Sequence, residues 1–273
     1  MLKNKKGFIG LIIFVVFLII LVVVAIAYIN ENYSAINAQV VKFIENSEMA
    51  NVSRVIDGDT IVLSDDQHVR LLGINTPEKG EYLYQEAKDY LKSMIEGKSV
   101  VLKAGKENKD QYKRLLRWVY INDENINLKI VEQGFANPYF PSNDKKYEQE
   151  FMASWENCLA KNLNLCEKSS EACSLCIKLN SLNVEEQTVE LENVCPFSCS
   201  LDGWTVKDEG RKKLVLKNVK IDREKTLEII VGNGQDTEEI VYWHNPTYVW
   251  TIGGDTMFLR DKEGKRVLYY HYQ

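Results

Sequence analysis

Histidine is scarce in this sequence, and the three that occur are His68, His244 and His271. They are scattered along the chain. A catalytic zinc site commonly takes two or three histidines, and many hydrolytic nucleophiles depend on one as a base. The sequence therefore indicates neither a histidine metal site nor a histidine-activated nucleophile.

An excess of positive charge is also lacking, because 34 Lys and Arg face 39 Asp and Glu, for a net charge of −5. This excludes a generally basic coat for nucleic acid, so any such contact must be local and salt-sensitive. Six cationic residues near the predicted strands could form such a local patch: Lys79, Lys106, Lys109, Lys113, Arg114 and Arg117. Internal repeats and low-complexity segments are absent as well. The 273 residues fit two domains of roughly 100 to 120 residues behind an N-terminal segment.

The one long hydrophobic run, Gly7 to Ile29, has no charged residue. It is long enough to cross a hydrocarbon core of about 30 Å. Lys3, Lys5 and Lys6 precede it and Glu31 follows, which predicts a cytoplasmic N-terminus and export of the rest. We expect a single-pass anchor at residues 1–30.

Cleavage of this segment is the alternative. Ala25-Ile26-Ala27 matches a signal-peptidase site, with release after Ala27, although the apolar run exceeds the roughly 7 to 15 residues usual in a signal peptide. Residues 31–50 are predicted to be a linker with a short juxtamembrane helix.

Residues 52 to 78 hold the most informative pattern. Aliphatic residues recur at strand spacing, and Asp57-Gly58 and Asp65-Asp66 are turn formers, so a short antiparallel meander is predicted. Helical periodicity predicts helices over 86–95, 127–133 and 147–162.

Polar residues at the ends of the meander suit phosphodiester chemistry. The oxygens of Asp59, Asn75 and Thr76 suit Ca²⁺. The guanidinium groups of Arg70 and Arg114 can each bind two phosphate oxygens. A carboxylate such as Glu78 can orient or deprotonate the water that attacks the phosphodiester. The alternative is that these residues have only structural roles: Asp57-Gly58-Asp59 as a hairpin turn, Pro77-Glu78 as the end of a loop and Arg114 as a solvated strand end.

Three segments in the same order, residues 56–60, 70–78 and 110–114, resemble the staphylococcal-type thermonuclease family. The resemblance runs from about Asn51 to about Lys168 and implies a five-stranded OB barrel with helices, which hydrolyses DNA and RNA with Ca²⁺. By resemblance, Asp59 is the carboxylate ligand and Thr76 the carbonyl ligand. Glu78 activates water, and Arg70 and Arg114 clamp phosphate.

Two positions depart from that family. Asn75 stands where the family has a second aspartate ligand, so we expect weaker Ca²⁺ binding than with aspartate. Tyr112-Lys113-Arg114 replaces Tyr-Gly-Arg, which loses a turn glycine and gains a cation. Tyr112 resembles a phosphate contact, and Lys113 and the loop residue Tyr139 are further candidates for substrate binding.

A second unit, residues 169–273, alternates short β-rich runs with turns, which predicts a β-sandwich. Its Gly203-Trp204 and Gly254-Asp255-Thr256 elements resemble the lamin-tail domain, an immunoglobulin-like fold. The resemblance implies a binding or tethering module for an unknown cell-surface partner. Trp204 and Trp250 are predicted to pack in its core.

Six cysteines lie between 158 and 199, near the junction of the two units. Export favours disulfides, with Cys158 and Cys166 the most local pair, whereas the order of the other four is open. Zinc bound by Cys173, Cys176, Cys195 and Cys199 is the alternative.

The sequence thus predicts a mainly β protein with some α: a transmembrane helix, an OB-fold nuclease domain at 51–168 and a sandwich. The predicted function is extracytoplasmic, Ca²⁺-dependent hydrolysis of DNA and RNA with little sequence specificity. The alternative is a catalytically weak or inactive protein that binds nucleic acid or tethers at the cell surface.

Overall fold

The computed structural model describes residues 16–33, 37, 47–141, 147–244 and 248–273. The chain divides into two compact units, Met1–Glu48 and Met49–Gln273. In the first, helix α1 spans Val16–Tyr33 and is long and apolar enough to cross a membrane. The helix therefore continues beyond Ile29 into the predicted linker. Most of the predicted juxtamembrane helix lies outside the described residues.

A five-stranded barrel forms the first part of the larger unit, as predicted. The elements in order are β1 Ser47–Asp57, β2 Thr60–Leu63, β3 His68–Leu71, β4 Ile74–Asn75, α2 Tyr84–Ile95, β5 Ser99–Lys109, β6 Leu115–Ile121, β7 Glu124–Asn125, α3 Ile126–Glu132, β8 Asn137–Pro138 and α4 Glu148–Lys161. Strands follow the order β3-β2-β1-β5-β6, and a parallel pairing of β3 with β6 closes the barrel. All three predicted helices occur, within two residues of their predicted ends.

The meander supplies the barrel wall as its alternating pattern predicts. Asp57 pairs with Thr60 across the tight β1–β2 turn, and Thr60 pairs with Arg70 between β2 and β3. Buried residues of α2 and α4 close the core, including Leu91 and Trp155. Strand β1 begins at Ser47, four residues before the predicted start of the domain.

The described residues of the second part form ten further strands. They are β9 Ile177–Asn183, β10 Thr188–Asn193, β11 Cys199–Ser200, β12 Thr205–Lys207, β13 Lys213–Val215, β14 Lys220–Ile221, β15 Thr226–Val231, β16 Ile240–Trp243, β17 Asp255–Arg260 and β18 Arg266–Tyr272. Two four-stranded sheets, β16-β15-β10-β9 and β13-β12-β17-β18, share one hydrophobic cluster. Trp204 and Trp250 are each 1% exposed within it, which confirms their predicted core role.

The two parts pack directly against each other. The ring of Trp155 on α4 lies 5.9 Å from that of Phe258 on β17 and 6.2 Å from that of Tyr269 on β18. Phe258 belongs to the hydrophobic cluster of the barrel. Arg260 Nη1 donates to the carbonyl of Leu165 at 2.8 Å. The second part therefore completes the core of the first.

All six cysteines form disulfides: Cys158–Cys166, Cys173–Cys199 and Cys176–Cys195. The preference for disulfides is confirmed, as is the local pair, and the other four cysteines form two nested disulfides. The zinc alternative was wrong, because each of its four thiols is spent in a covalent bond.

Reduction should expose six thiols where none reacts before. We expect the intact protein, denatured without reductant, to take up no alkylating reagent and to take up six equivalents after reduction, one per cysteine. Mass spectrometry of the alkylated peptides would report both states and the three pairings. Alkylation at Cys173 or Cys199 before reduction would contradict this arrangement.

Candidate active site

Asp59 lies in the turn between β1 and β2 and is 3% exposed. Its Oδ2 accepts from the amide and hydroxyl of Thr76 at 3.3 and 3.0 Å, and its Oδ1 accepts from the hydroxyl of Thr60 at 2.9 Å. Burial alone would raise the pKa of Asp59, but Arg70 and these hydrogen bonds lower it below its usual value. Asp59 is therefore an ionised carboxylate.

The approach of Thr76 to Asp59 requires a glycine at the turn. A Cβ on Gly58 would lie 2.8 Å from Cγ2 of Thr76, closer than carbon atoms approach. Gly58 thus allows two predicted ligands to lie side by side.

Arg70 on β3 is buried, and its guanidinium group forms one ion pair and two hydrogen bonds. Its Nη2 lies 3.0 Å from Oδ2 of Asp59 and donates to the carbonyl of Ile74 at 2.8 Å, while Nη1 donates to the carbonyl of Leu71 at 2.5 Å. Arg70 also lines a pocket together with Arg114. Arg70 thus fixes the strand that leads to Asn75 and Thr76.

Asn75 is 2% exposed at the end of β4. Its side-chain amide donates to the carbonyls of Gly210 at 2.7 Å and Glu209 at 3.2 Å, both in the loop between β12 and β13. An aspartate has no proton to give these carbonyls. Asparagine therefore has a second role that the sequence alone did not indicate.

Arg114 precedes β6 and is held by Asp110. Its Nε and Nη2 each lie 2.7 Å from Oδ2 of Asp110, and Nη1 donates to Oγ1 of Thr60 at 3.3 Å. The exposed ring of Tyr112 has its centroid 5.4 Å from Cζ of Arg114. Lys113 has φ 65°, where glycine is favoured, so the lost turn glycine costs about 1 kcal/mol.

A pocket of about 340 Å³ brings four of the predicted residues together: Arg70, Tyr112, Arg114 and Tyr139. Lys113 lines a neighbouring cleft with Tyr112 and Arg114. Thr76 lines a different cavity, between the barrel and the second part. Glu78 has a half-exposed side chain and, among the contacts that the structure describes, touches the first pocket only through its ion pair with Arg211.

Arg211 is a pocket residue that sequence reasoning missed. It follows β12 in the second part, and its Nε lies 2.9 Å from Oε1 of Glu78. No motif marks it, because Arg211, Lys212 and Lys213 form a short cationic run like many solvated turns. Only the tertiary packing reveals its position.

The same loop carries an unusual carboxyl group. Burial raises the pKa of Glu209 from 4.5 to about 8, with added repulsion from Asp255, Asp208 and Glu148 and an opposing hydrogen bond from Thr256. The neutral form is favoured in the fold. Its stabilising contribution is complete below pH 4.5 and is lost as pH rises toward 8.

Glu209→Gln should therefore stabilise the protein at pH 8 and change little at pH 5. The stability difference should grow by up to about 1.4 kcal/mol per pH unit between them. Urea denaturation at pH 5, 6.5 and 8 measures it, with the exposed Glu239→Gln as control. A difference that does not vary with pH would refute the shift.

The donors present fit a hard cation. Asp59, the amide oxygen of Asn75 and the carbonyl of Thr76 offer oxygen only, as Ca²⁺ prefers. Asp57 is a second carboxyl group beside Asp59. The backbone amide of Asp59 donates to Oδ1 of Asp57 at 3.1 Å. Burial together with the charge of Asp59 raises the pKa of Asp57 to about 6. A cation here would offset that repulsion. Among the described residues, no cluster of three or more acidic, histidine or cysteine side chains is placed to hold a metal.

The barrel region of this chain is similar in sequence to known proteins. The family model "Staphylococcal nuclease homologue" matches residues 68–167. A thermonuclease of Staphylococcus intermedius is 34% identical over 127 residues, covering 43% of this chain and 75% of that protein. A thermonuclease of Staphylococcus hyicus is 34% identical over 113 residues, covering 38% and 67%.

A third relative shares only this region: endonuclease YhcR of Bacillus subtilis is 33% identical over 122 residues, which are 38% of this chain and 10% of that protein. The barrel, the order of its motifs and these relatives agree. The chain therefore belongs to the staphylococcal nuclease homologue family, and its enzyme class is that of a hydrolase cleaving phosphodiester bonds.

Proposed function

We propose that this protein is a membrane-anchored, Ca²⁺-dependent nuclease that hydrolyses DNA and RNA outside the cytoplasm with little sequence specificity. The observation that carries the proposal is the pocket that Arg70 and Arg114 line together, where Arg70 is ion-paired with Asp59 and the pocket residue Arg211 with Glu78. Thermonuclease relatives support the same reaction.

Each side chain has a distinct task in the proposed reaction. Arg114, oriented by Asp110, presents a planar guanidinium that can take two oxygens of a phosphate. Tyr112 and Tyr139 offer hydroxyls and ring faces to the adjoining nucleotides. Glu78 orients and deprotonates the attacking water.

Asp59, Asn75 and Thr76 would hold Ca²⁺. A bound cation there would offset the negative charge that develops on the phosphoryl oxygens. Glu78 is half exposed and so is reachable by water.

We also propose the location from two independent features. Helix α1 is apolar from Val16 to Ile29, and Lys3, Lys5 and Lys6 precede it. Three disulfides are the pattern of an oxidising compartment. Together they favour an anchored protein whose larger unit faces outward, or a secreted one if the chain is cleaved after Ala27.

The second part, proposed as residues 169–273 beside a nuclease domain at 51–168, is a candidate lamin-tail-like module. Its sheets and buried tryptophans agree with the resemblance of the sequence. A cell-surface partner is the proposed ligand of its outer faces.

One observation favours the second candidate, a nucleic-acid-binding protein with weak or no catalysis. Glu78 is paired with Arg211, and the amide of Asn75 is spent on the carbonyls of the β12–β13 loop. In a catalytic protein, Glu78 would have to activate water and Asn75 would have to bind the metal while these contacts persist or after they break.

A direct assay separates the two. The full chain, purified in detergent, is incubated with plasmid DNA or RNA in Ca²⁺, Mg²⁺ or EDTA. We expect cleavage of both substrates with Ca²⁺ and none with EDTA. Binding of both nucleic acids without cleavage under any condition would support the second candidate. Cleavage in EDTA at the same rate as in Ca²⁺ would contradict the proposed metal dependence.

A further inference from the structure

The β12–β13 loop, Asp208–Lys212, is built to hold its tip against the barrel. The amide of Asp208 donates to the carbonyl of Lys212 at 3.1 Å, and the amide of Lys212 donates back to Oδ1 of Asp208 at 2.9 Å. Nζ of Lys207 donates to the carbonyl of Gly210 at 2.5 Å. The loop is therefore closed at its base and braced from within.

Two asparagines of the barrel hold the loop from the other side. Asn75 donates to the carbonyls of Glu209 and Gly210, and the side-chain amide of Asn137 donates to the carbonyl of Glu209 at 2.9 Å. Nζ of Lys213, just after the loop, lies 2.5 Å from Oε1 of Glu81. These contacts fix the backbone on both sides of Arg211.

Gly210 lies where the loop approaches the wall of the pocket. A Cβ there would lie 3.3 Å from Oδ2 of Asp208 and 3.4 Å from Cε2 of Tyr139, a pocket residue. A larger side chain would be wedged between the loop and the pocket wall.

Arg211 is consequently delivered to the pocket by a rigid support. Its side chain is 50% exposed, and it lines the pocket together with Arg70, Arg114 and Tyr139. Its one charged partner, among the contacts the structure describes, is Glu78, at 2.9 Å and itself 49% exposed. An exposed single-point pair of this kind contributes about 0 to 1 kcal/mol and exchanges readily.

We propose that Arg211 binds a phosphate of the nucleic-acid substrate, so that the second part of the chain supplies a third arginine to the nuclease pocket. The proposal rests on the proposed function. In the free protein Arg211 pairs with Glu78, and a substrate phosphate takes over the guanidinium, which leaves the Glu78 carboxylate for water. Asn137 is a positioning residue for Arg211, because its side-chain amide donates to the carbonyl of Glu209 in the loop and does not line the pocket that holds Arg211.

The test measures binding as well as cleavage. Binding of a dye-labelled single-stranded DNA oligonucleotide to the full chain is followed by fluorescence anisotropy in EDTA, from about 50 to 200 mM NaCl, and cleavage is assayed separately in Ca²⁺. Arg211→Ala should weaken binding about tenfold and reduce the salt slope by about 0.7, the value for one lost phosphate contact on a single strand.

Matched variants make the result specific. Arg223→Ala removes the same charge from an exposed site beside Glu224, and it should leave affinity and slope unchanged. Arg211→Lys should recover the salt slope and only part of the affinity, because lysine keeps the charge without the guanidinium fork. Asn137→Ala should raise Kd in the same direction as Arg211→Ala with a smaller change in slope.

Three results would overturn the proposal. These are unchanged binding by Arg211→Ala, an equal loss in Arg223→Ala, and a gain in cleavage rate by Arg211→Ala, which would make the arginine a restraint on Glu78. A wild-type protein that binds the oligonucleotide through Arg211 but does not cleave would refute the proposed function alone. One that cleaves but is indifferent to Arg211 would refute this inference alone.

Discussion

Glu78→Gln should lower kcat by about 10² to 10⁴-fold, the range expected when a general base is removed. Glutamine has nearly the same shape and keeps a hydrogen-bonding oxygen, but it cannot accept the proton of the attacking water. Glu78 contributes little to packing, since its side chain is 49% exposed, so the unfolding midpoint should stay close to that of the wild type. KM should change much less than kcat.

The exposed Glu86→Gln on α2 provides the matched control. Both substitutions replace a glutamate by glutamine and remove one negative charge, but only Glu78 contacts Arg211, which lines the pocket. Plasmid cleavage in Ca²⁺ under single-turnover conditions, together with circular dichroism of both variants, measures the effect. A Glu78→Gln variant that keeps more than about a tenth of the wild-type rate would remove Glu78 from the proposed mechanism.

The barrel was predictable from the sequence because its strands carry local signals. Turn residues such as Asp57 and Gly58 separate short runs of aliphatic and β-branched residues, and these signals act over a few positions. The ladder between β4 and β8 escaped prediction, since Ile74 and Asn75 pair with a segment that contains Pro138. Two-residue strands of this kind have no period to detect.

The candidate site was predictable only for the groups that the barrel itself supplies. Asn75 bonds to carbonyls 134 and 135 residues away, and Arg211 approaches Glu78 from the same loop. Contacts at such separation depend on how two parts of the chain pack, for which a single sequence has no local signal. The nested pairing of Cys173 with Cys199 and Cys176 with Cys195 was open for the same reason.

The two arginines predicted to be equivalent clamps differ in burial, and this leads to distinct expected results. Side-chain exposure is 9% for Arg70 and 5% for its partner Asp59, but 19% for Arg114. Arg70→Ala would leave the Asp59 carboxylate buried without its cation, which should cost about 3 to 5 kcal/mol of unfolding free energy. Arg114→Ala should lower cleavage by a few orders of magnitude at a cost of about 1 kcal/mol or less.

A double variant distinguishes the buried charge from lost packing. If the main cost of Arg70→Ala is the unpaired carboxylate, adding Asp59→Asn removes that charge and should recover a large share of the lost stability, although not the activity. Asp110→Asn in the Arg114→Ala background is the matched control, and it should recover little, because the more exposed Asp110 keeps access to water. Urea denaturation at pH 7 of the single and double variants gives the coupling free energy of each pair. A coupling at Arg70 and Asp59 no larger than that at Arg114 and Asp110 would show that Arg70 is a clamp like Arg114, and that its burial has no energetic consequence for the fold.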